Sequence, residues 1–573
     1  MHGRLVFVAV QSAQLLRPAT TVRCRLTANI ASKAAAKTCP ADLASVAAKT
    51  CPEDLEAYER QLLQWREDLL KCGMDFQSLR EILQAVQQSD LQRFFEQLPK
   101  GVDNHVHLLG MGKRSYLMRR LAAQDYDGAF PAFWNPQTGM ILVAKHASAG
   151  YVPLPDPASS EFQTLLEFLT MQSKQDDSSG LDPVSHAWEE FEKCFDRIEQ
   201  PFFFEPFFRA VVLPHIIDDL RYHRHYGVEL RMNPCDKLWS FPSDRDASGQ
   251  KLVELLKDVD DFHIVVILTF NKANNEANRK TNWEKARSFL NLHRLFPDMV
   301  RAFDFVGCED KGVQLKELKD IILYMRRMSK FELKLALHAG ETSWNDDTVT
   351  PTTTNSKYAL QQLEPGPDRL AHVCTVNRDF KVLDLLMRRA PEVPVEICIT
   401  SNLILKYCPL LNHHVTILES SQHPFVLGAD SPGIQESSLA DCWVLYALIS
   451  SNTYWYRGLL SMTFWRQAER SITYSFFPEH IKVSMYIRLQ TDYKEICTSI
   501  TPDTSWEDFC SITAGDMVIG TGGGAGGGAG WRWWWLVVPL IFVAVAVAAP
   551  VAAPAAGGAA AADVSGGLAL FLF

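Results

Sequence analysis

Eight short apolar runs separated by helix-spaced stretches predict an α/β fold: a TIM-type (β/α)8 barrel with an N-terminal helical segment and an insertion after strand 1. The runs lie at 101–107, 227–232, 263–270, 300–307, 332–338, 369–373, 394–400 and 425–430. Two further observations point the same way. Most gaps between runs hold a helical pattern, as in Leu315–Met328, whose apolar residues recur at helical spacing. The residue types suited to chemistry fall at or just past the ends of runs one, four, five, six and eight, where such a barrel carries its active site.

Taken in order, residues 1–41 include Arg4, Arg23, Arg25, Lys33 and Lys37 and no acid, a composition that resembles an organelle transit peptide. The apolar run Leu5–Val10 is marginal for a signal-peptide core, and the chain contains no Asn-x-Ser/Thr sequon, so an organelle or cytosolic location is favoured over secretion. The motif Ala-Ala-Lys-Thr-Cys-Pro at 35–40 recurs at 47–52, a tandem duplication with no evident chemistry. Residues 42–97 form the N-terminal helical segment, and residues 98–515 the barrel. The stretch between the first two runs exceeds any ordinary βα loop, so an insertion is expected at about 126–190. Its Pro-, Ser- and Asp-rich portion, 131–180, is read as a lid, a partner surface or a solvated excursion. Residues 516–573 are a Gly/Ala-rich low-complexity tail. Its uncharged stretch 533–549 is long enough to span a bilayer, although Pro539 weakens a helix there, so a C-terminal membrane anchor and an incidental extension both stand as readings.

The net charge is −10, with no basic run and no interleaving of aromatic and basic residues, which excludes nucleic acid as the partner and favours a small-molecule substrate. The 13 cysteines follow no regular framework and read as mostly reduced thiols.

The chemistry is concentrated in dispersed fragments. Asp103-Asn-His105-Val-His107 reads as a strand, so both imidazoles point to one face. His338 ends the fifth run and Asp430 the eighth, giving a metal set of His105, His107, His338 and Asp430. Three imidazoles and a carboxylate suit one Zn2+ per chain, with an open position for water. Glu341 lies across a tight Ala-Gly turn from His338, placed as a proton shuttle, and His372 can hold or deprotonate the attacking water. A second HxH, His223-Arg-His225, is read as part of a polar helical stretch without a metal role.

These fragments, together with Leu98-Pro-Lys-Gly, Tyr226-Gly-Val-Glu-Leu-Arg231, Phe303-Asp-Phe-Val-Gly-Cys-Glu309-Asp-Lys-Gly312, His338-Ala-Gly-Glu-Thr-Ser-Trp344 and Val395-Glu-Ile-Cys-Ile-Thr-Ser-Asn402, resemble the adenosine deaminase family over roughly residues 90–500. The likeness is greatest to its growth-factor-related branch, adenosine deaminase 2. It implies zinc on the four ligands above, Glu341 protonating a purine ring nitrogen, His372 acting on the hydroxide, and Gly307 contacting the base. It also implies a purine nucleoside or nucleotide as substrate, an insertion after strand 1, and a homodimer formed through the N-terminal helices. The chain departs from the pattern at two places. Leu108-Leu109-Gly110 replaces an acid that meets the sugar, and Ser431 stands where a second aspartate contacts the purine. Ser431 is therefore expected at the substrate with a weaker hydrogen bond, and Leu109 and Ser431 together predict altered preference and poor turnover of adenosine.

The sequence thus predicts a zinc-dependent hydrolytic deaminase of adenosine or a related adenine compound. Two alternatives remain at this level: a catalytically impaired, growth-factor-like binding relative, and an amidohydrolase acting on another substrate. Retention of Glu341 favours the enzyme, because a protein released from catalysis has no need of a proton shuttle.

Overall fold

The computed structural model describes residues 95–128, 130–171, 183–234, 245–259, 261–272, 276–342, 355–450 and 459–500. The segment 1–41, the helical segment 42–97 up to residue 94, and the tail 516–573 lie outside the described residues, as do the readings of targeting, dimerisation and membrane anchoring that rest on them. Among the described residues no helix is long and apolar enough to cross a membrane.

Strand β1 (Gly101–His107) is followed by β2 (Ala132–Trp134), β3 (Ile141–Val143) and β4 (Val152–Pro153), which form a separate antiparallel sheet in the order β3-β2-β4. Strands β5 (His225–Met232), β6 (His263–Asn271), β7 (Val300–Val306), β8 (Lys334–Ala339), β9 (Arg369–His372), β10 (Val395–Ile397) and β11 (Phe425–Leu427) join β1 in an eight-stranded sheet in chain order. The strand pairings described in that sheet are parallel. The ends meet just past β11, where Val106 bridges Asp430: the Asp430 amide donates to the His105 carbonyl at 2.7 Å and the His107 amide to the Asp430 carbonyl at 2.8 Å. The eight strands and their helices are a (β/α)8 barrel.

The local sequence explains these elements. The core of β6, Ile264–Phe270, is buried throughout, as expected of a parallel strand covered on both faces. The crossover helix Leu315–Met328 buries Leu315, Leu318, Ile321, Ile322 and Met325, one stripe at helical spacing, and ends on Arg326 and Arg327, which suit the negative end of its dipole. Helices Arg245–Lys257, Glu276–Leu295 and Phe380–Arg389 make the corresponding crossovers elsewhere.

The structure departs from the sequence reading at several points. The seventh run is strand only to Ile397, after which Ile399–Ile404 turns helical. His223 follows the helix Leu213–Tyr222 and His225 opens β5, so the second HxH straddles a helix end and a strand start instead of lying in a helix. The insertion is anchored: Ser159 caps the helix Ser160–Leu169, whose Phe162, Leu165 and Leu169 are buried in the main core, which removes the solvated-excursion reading for this part. The next helix, Pro183–Phe202, buries Trp188 and Phe191 in a smaller cluster with Cys374, Tyr407 and Cys408.

Candidate metal centre and active site

The pleat of β1 and the closure of the barrel together assemble the candidate ligands. His105 and His107 lie on β1, His338 on β8, and Asp430 follows β11 beside β1. One ring nitrogen from each of His105, His107 and His338 falls within 4.8 Å of the others, and a second such group joins His105 to His372, Cys398 and Asp430. His107 Nε2 is 3.6 Å from Asp430 Oδ1. Asp430 has φ +63°, a left-handed conformation that Asp tolerates better than most residues and that the bridge to β1 stabilises.

The groups behind the imidazoles fix what they present. His105 Nδ1 is 2.7 Å from Glu396 Oε2, and His338 Nδ1 is 2.6 Å from Asp304 Oδ2. An ionised carboxylate only accepts, so both Nδ1 atoms carry hydrogen and both Nε2 atoms offer lone pairs. His105 Nε2 is buried without a partner, as a nitrogen facing a cation site would be. Burial lowers the His105 imidazole well below its usual range and brings His107 down to about 4, which keeps both neutral and able to ligate. Burial pushes Asp304 upward, but His338 and Arg231 outweigh it and hold this carboxyl well below the carboxylate range. The donor set and its protonation state fit a divalent metal.

Arg231 and Arg369 complete a buried charge network. Arg231 donates to Asp304 at 2.9 Å and to Glu396 at 2.5 Å, and Arg369 donates to Glu396 at 2.6 Å and also to Glu229. Sequence reasoning assigned no role to Asp304, Glu396, Arg231 or Arg369. The signal was present: each is a charged residue within or at the edge of an apolar strand, as in Phe303-Asp304-Phe305 and Val395-Glu396-Ile397, and burying a charge demands a partner.

Glu341 and His372 stand beside the ligands, with His372 Nδ1 3.7 Å from Glu341 Oε1. Burial, reinforced by the charge of Asp430, raises the Glu341 carboxyl well above its usual range and favours the protonated form of an acid that donates. The turn that presents it is held from below: the Gly340 amide donates to both oxygens of Glu309, at 3.1 and 2.9 Å, while Lys272 Nζ donates to the His338 carbonyl at 2.9 Å. Asn402 Nδ2 is 3.1 Å from His372 Nδ1 and orients that ring, leaving Nε2 buried and unpartnered.

A cavity of about 280 Å³ opens over this group, lined among others by His107, Leu108, Leu109, Gly307, His338, Glu341 and Asp430. The helix Pro183–Phe202 adds Trp188, Phe191 and Phe195 together with Glu192, Asp196 and Glu199. Gly307 therefore lies on the cavity wall, with φ +105°. Ser431 does not: it is fully buried, and its hydroxyl donates to Asp430 Oδ1 at 3.0 Å.

A barrel with these groups at the C-terminal ends of its strands has the layout of a hydrolase. Residues 184–491 match the family described as adenosine deaminase, and the chain belongs to that family. It is 27% identical over 383 residues to adenosine deaminase 2-A of Danio rerio, covering 61% of this chain and 70% of that protein. It is 23% identical over 375 residues to adenosine deaminase 2 of Homo sapiens, covering 61% and 69%. With the N6-methyl-AMP deaminase of Danio rerio the match is 29% over 167 residues, covering 29% and 43%. Among solved structures, the arabidopsis N6-mAMP deaminase aligns with a TM-score of 0.49 at 16% identity over 70% of this chain and 99% of that one. The protein is an adenosine deaminase-like hydrolase.

Proposed function

We propose that the protein is a zinc-dependent hydrolytic deaminase of an adenine nucleoside. The observation that carries this reading is the convergence of His105, His107 and His338, with Glu396 and Asp304 setting the tautomers of His105 and His338, beside a protonated Glu341 and an oriented His372. His105, His107, His338 and Asp430 would hold the ion. When bound there, zinc lowers the pKa of a coordinated water to about 7 and polarises the reacting centre.

The chain's own residues supply the rest. Glu341 donates its proton to the purine ring nitrogen, making the amino-bearing carbon electrophilic. His372, whose Nδ1 accepts from Asn402, would hold the attacking water through its unpartnered Nε2. Addition of water and departure of the amino group as ammonia give the inosine-type product. Gly307, lacking a side chain, lets the base approach the wall of the cavity.

The cavity's charge supports a nucleoside over a nucleotide. Glu192, Asp196 and Glu199 are acids on the lining, and among the described lining residues Arg231 is the one arginine or lysine and is already bound to Asp304 and Glu396. A 5′-phosphate would meet carboxylates where it needs cations, whereas sugar hydroxyls can donate to them. Incubation of the zinc-loaded protein with adenosine, AMP, N6-methyl-AMP and adenine, with ammonia release measured, tests the reading. Faster turnover of adenosine than of either nucleotide is expected. Release of ammonia from none of the four would sink the proposal, and preference for AMP would sink its nucleoside part.

A further inference from the structure

Metal-binding donors converge a second time, away from the cavity. Cys374 lies in the turn after β9, Cys408 beyond the helix Ile399–Ile404, and His414 at the start of the helix Val415–Ser420. Their two sulfurs and one ring nitrogen fall within 4.8 Å of one another, and the three residues are 0%, 1% and 0% exposed. The spacing in the chain, thirty-odd residues and then six, matches no familiar cysteine motif, which is why the pattern is silent in the sequence.

The hydrogen bonds fix the state of the imidazole. His414 Nε2 is 2.5 Å from the carbonyl oxygen of His372. A carbonyl only accepts, so Nε2 carries the hydrogen and Nδ1 presents its lone pair to Cys408 Sγ, 3.4 Å away. A ligating histidine is ordinarily held in this way, with its other nitrogen donating to a backbone carbonyl. The spacing also fits. Bonds of about 2.3 Å to sulfur and 2.0–2.1 Å to nitrogen at tetrahedral angles separate the two donors by roughly 3.5 Å. Charge decides the class of ion: two thiolates cancel a divalent cation, so the assembled unit brings no net charge into the interior, whereas a monovalent ion would leave a buried anion.

We propose that Cys374, Cys408 and His414 form a second metal site, distinct from the catalytic centre, for a thiophilic divalent cation of the zinc type, with a small ligand such as water in the fourth position. Binding forms two metal–sulfur bonds and one metal–nitrogen bond and releases two thiol protons, with no change of oxidation state. The site would tie the end of β9 to the segment after β10. Through His414 it would also brace the backbone of His372, which sits in a left-handed conformation at φ +64°. His414 is thus a positioning residue and the ion a structural clamp.

Cobalt substitution of the reduced full-length protein tests this without reliance on the deaminase reading. The proposed catalytic ligands contain no sulfur, so an intense thiolate-to-cobalt charge-transfer band reports the cysteine site. Cys398 lies near the catalytic histidines and is the necessary control. The band is expected in the unmodified protein, absent in Cys374→Ser/Cys408→Ser and retained in Cys398→Ser. Native mass spectrometry after zinc saturation should show one zinc fewer in the double variant than in its parent. A spectrum of the unmodified protein without the band overturns the proposal, as does a band that survives the double substitution. A mass lower by two hydrogens, with no thiolate-bound cobalt, would make the pair a disulfide and overturn it equally. The spectrum of the unmodified protein requires no variant to fold.

Discussion

Single side chains in this site act through the states their neighbours impose. Burial favours the protonated form of Glu341, and replacement by Gln keeps its shape but removes the proton it would donate. Glu341→Gln should therefore retain bound zinc while turnover falls by about 10²–10⁴-fold, read as ammonia release against metal content. Asp304 acts one step further out by setting the tautomer and direction of His338. Asp304→Asn should weaken metal affinity by roughly 10–100-fold, measured by competition with a chelator. Protonation supplies a third test. Burial lowers the His107 imidazole from 6.5 to about 4, whereas the unfolded chain takes up that proton near 6.5. Between these values the unfolded state binds more protons, so the metal-free protein should lose stability as pH falls through this window and be unaffected by this group above it. Thermal melts of the metal-free protein at several pH values would show the trend, and an unchanged melting temperature across the window would contradict it.

Secondary-structure elements decide which positions can reach the substrate. The turn after β8 depends on Gly340, whose φ is +84° and whose absent Cβ leaves room for neighbours: a methyl group there would lie 2.2 Å from Ser356 Oγ and 2.6 Å from Thr375 Oγ1. Gly340→Ala should cost roughly 1–3 kcal/mol of backbone strain and displace Glu341, lowering both melting temperature and kcat. The two departures from the family pattern separate at this scale. Leu109 lines the cavity, so Leu109→Asp should change KM for adenosine with little loss of stability. Ser431 is buried and crowds Gly110, with its Oγ 2.6 Å from where a Gly110 Cβ would stand. An aspartate at 431 would bury a second carboxylate beside Asp430, and Ser431→Asp should lower stability without improving adenosine turnover.

At the scale of the whole molecule, closure of the barrel is what makes a site. The backbone bridge between Val106 and Asp430 brings the eighth strand's carboxylate to the first strand's histidines across more than three hundred residues of chain. Chelator treatment should remove activity, and zinc should restore it without refolding, because the Arg231 and Arg369 network binds the strands together independently of the ion. Much of this was readable in the linear pattern. Parallel strands covered on both faces are predominantly apolar, so all eight could be placed, and alternation on β1 put His105 and His107 on one face without reference to any other element. Residues 108–109 could likewise be seen to lack the expected acid, since that is a question of residue type alone. Three matters were settled only by the tertiary structure. Glu396 and Asp304 became the partners of His105 and His338 through register between strands distant in the chain, Glu192, Asp196 and Glu199 reached the cavity because an inserted helix packs over it, and Ser431 turned inward because barrel closure places it against Gly110. The physical reason is common to all three. Local periodicity fixes which way a side chain points from its own element, whereas what it meets depends on long-range packing that no local pattern encodes.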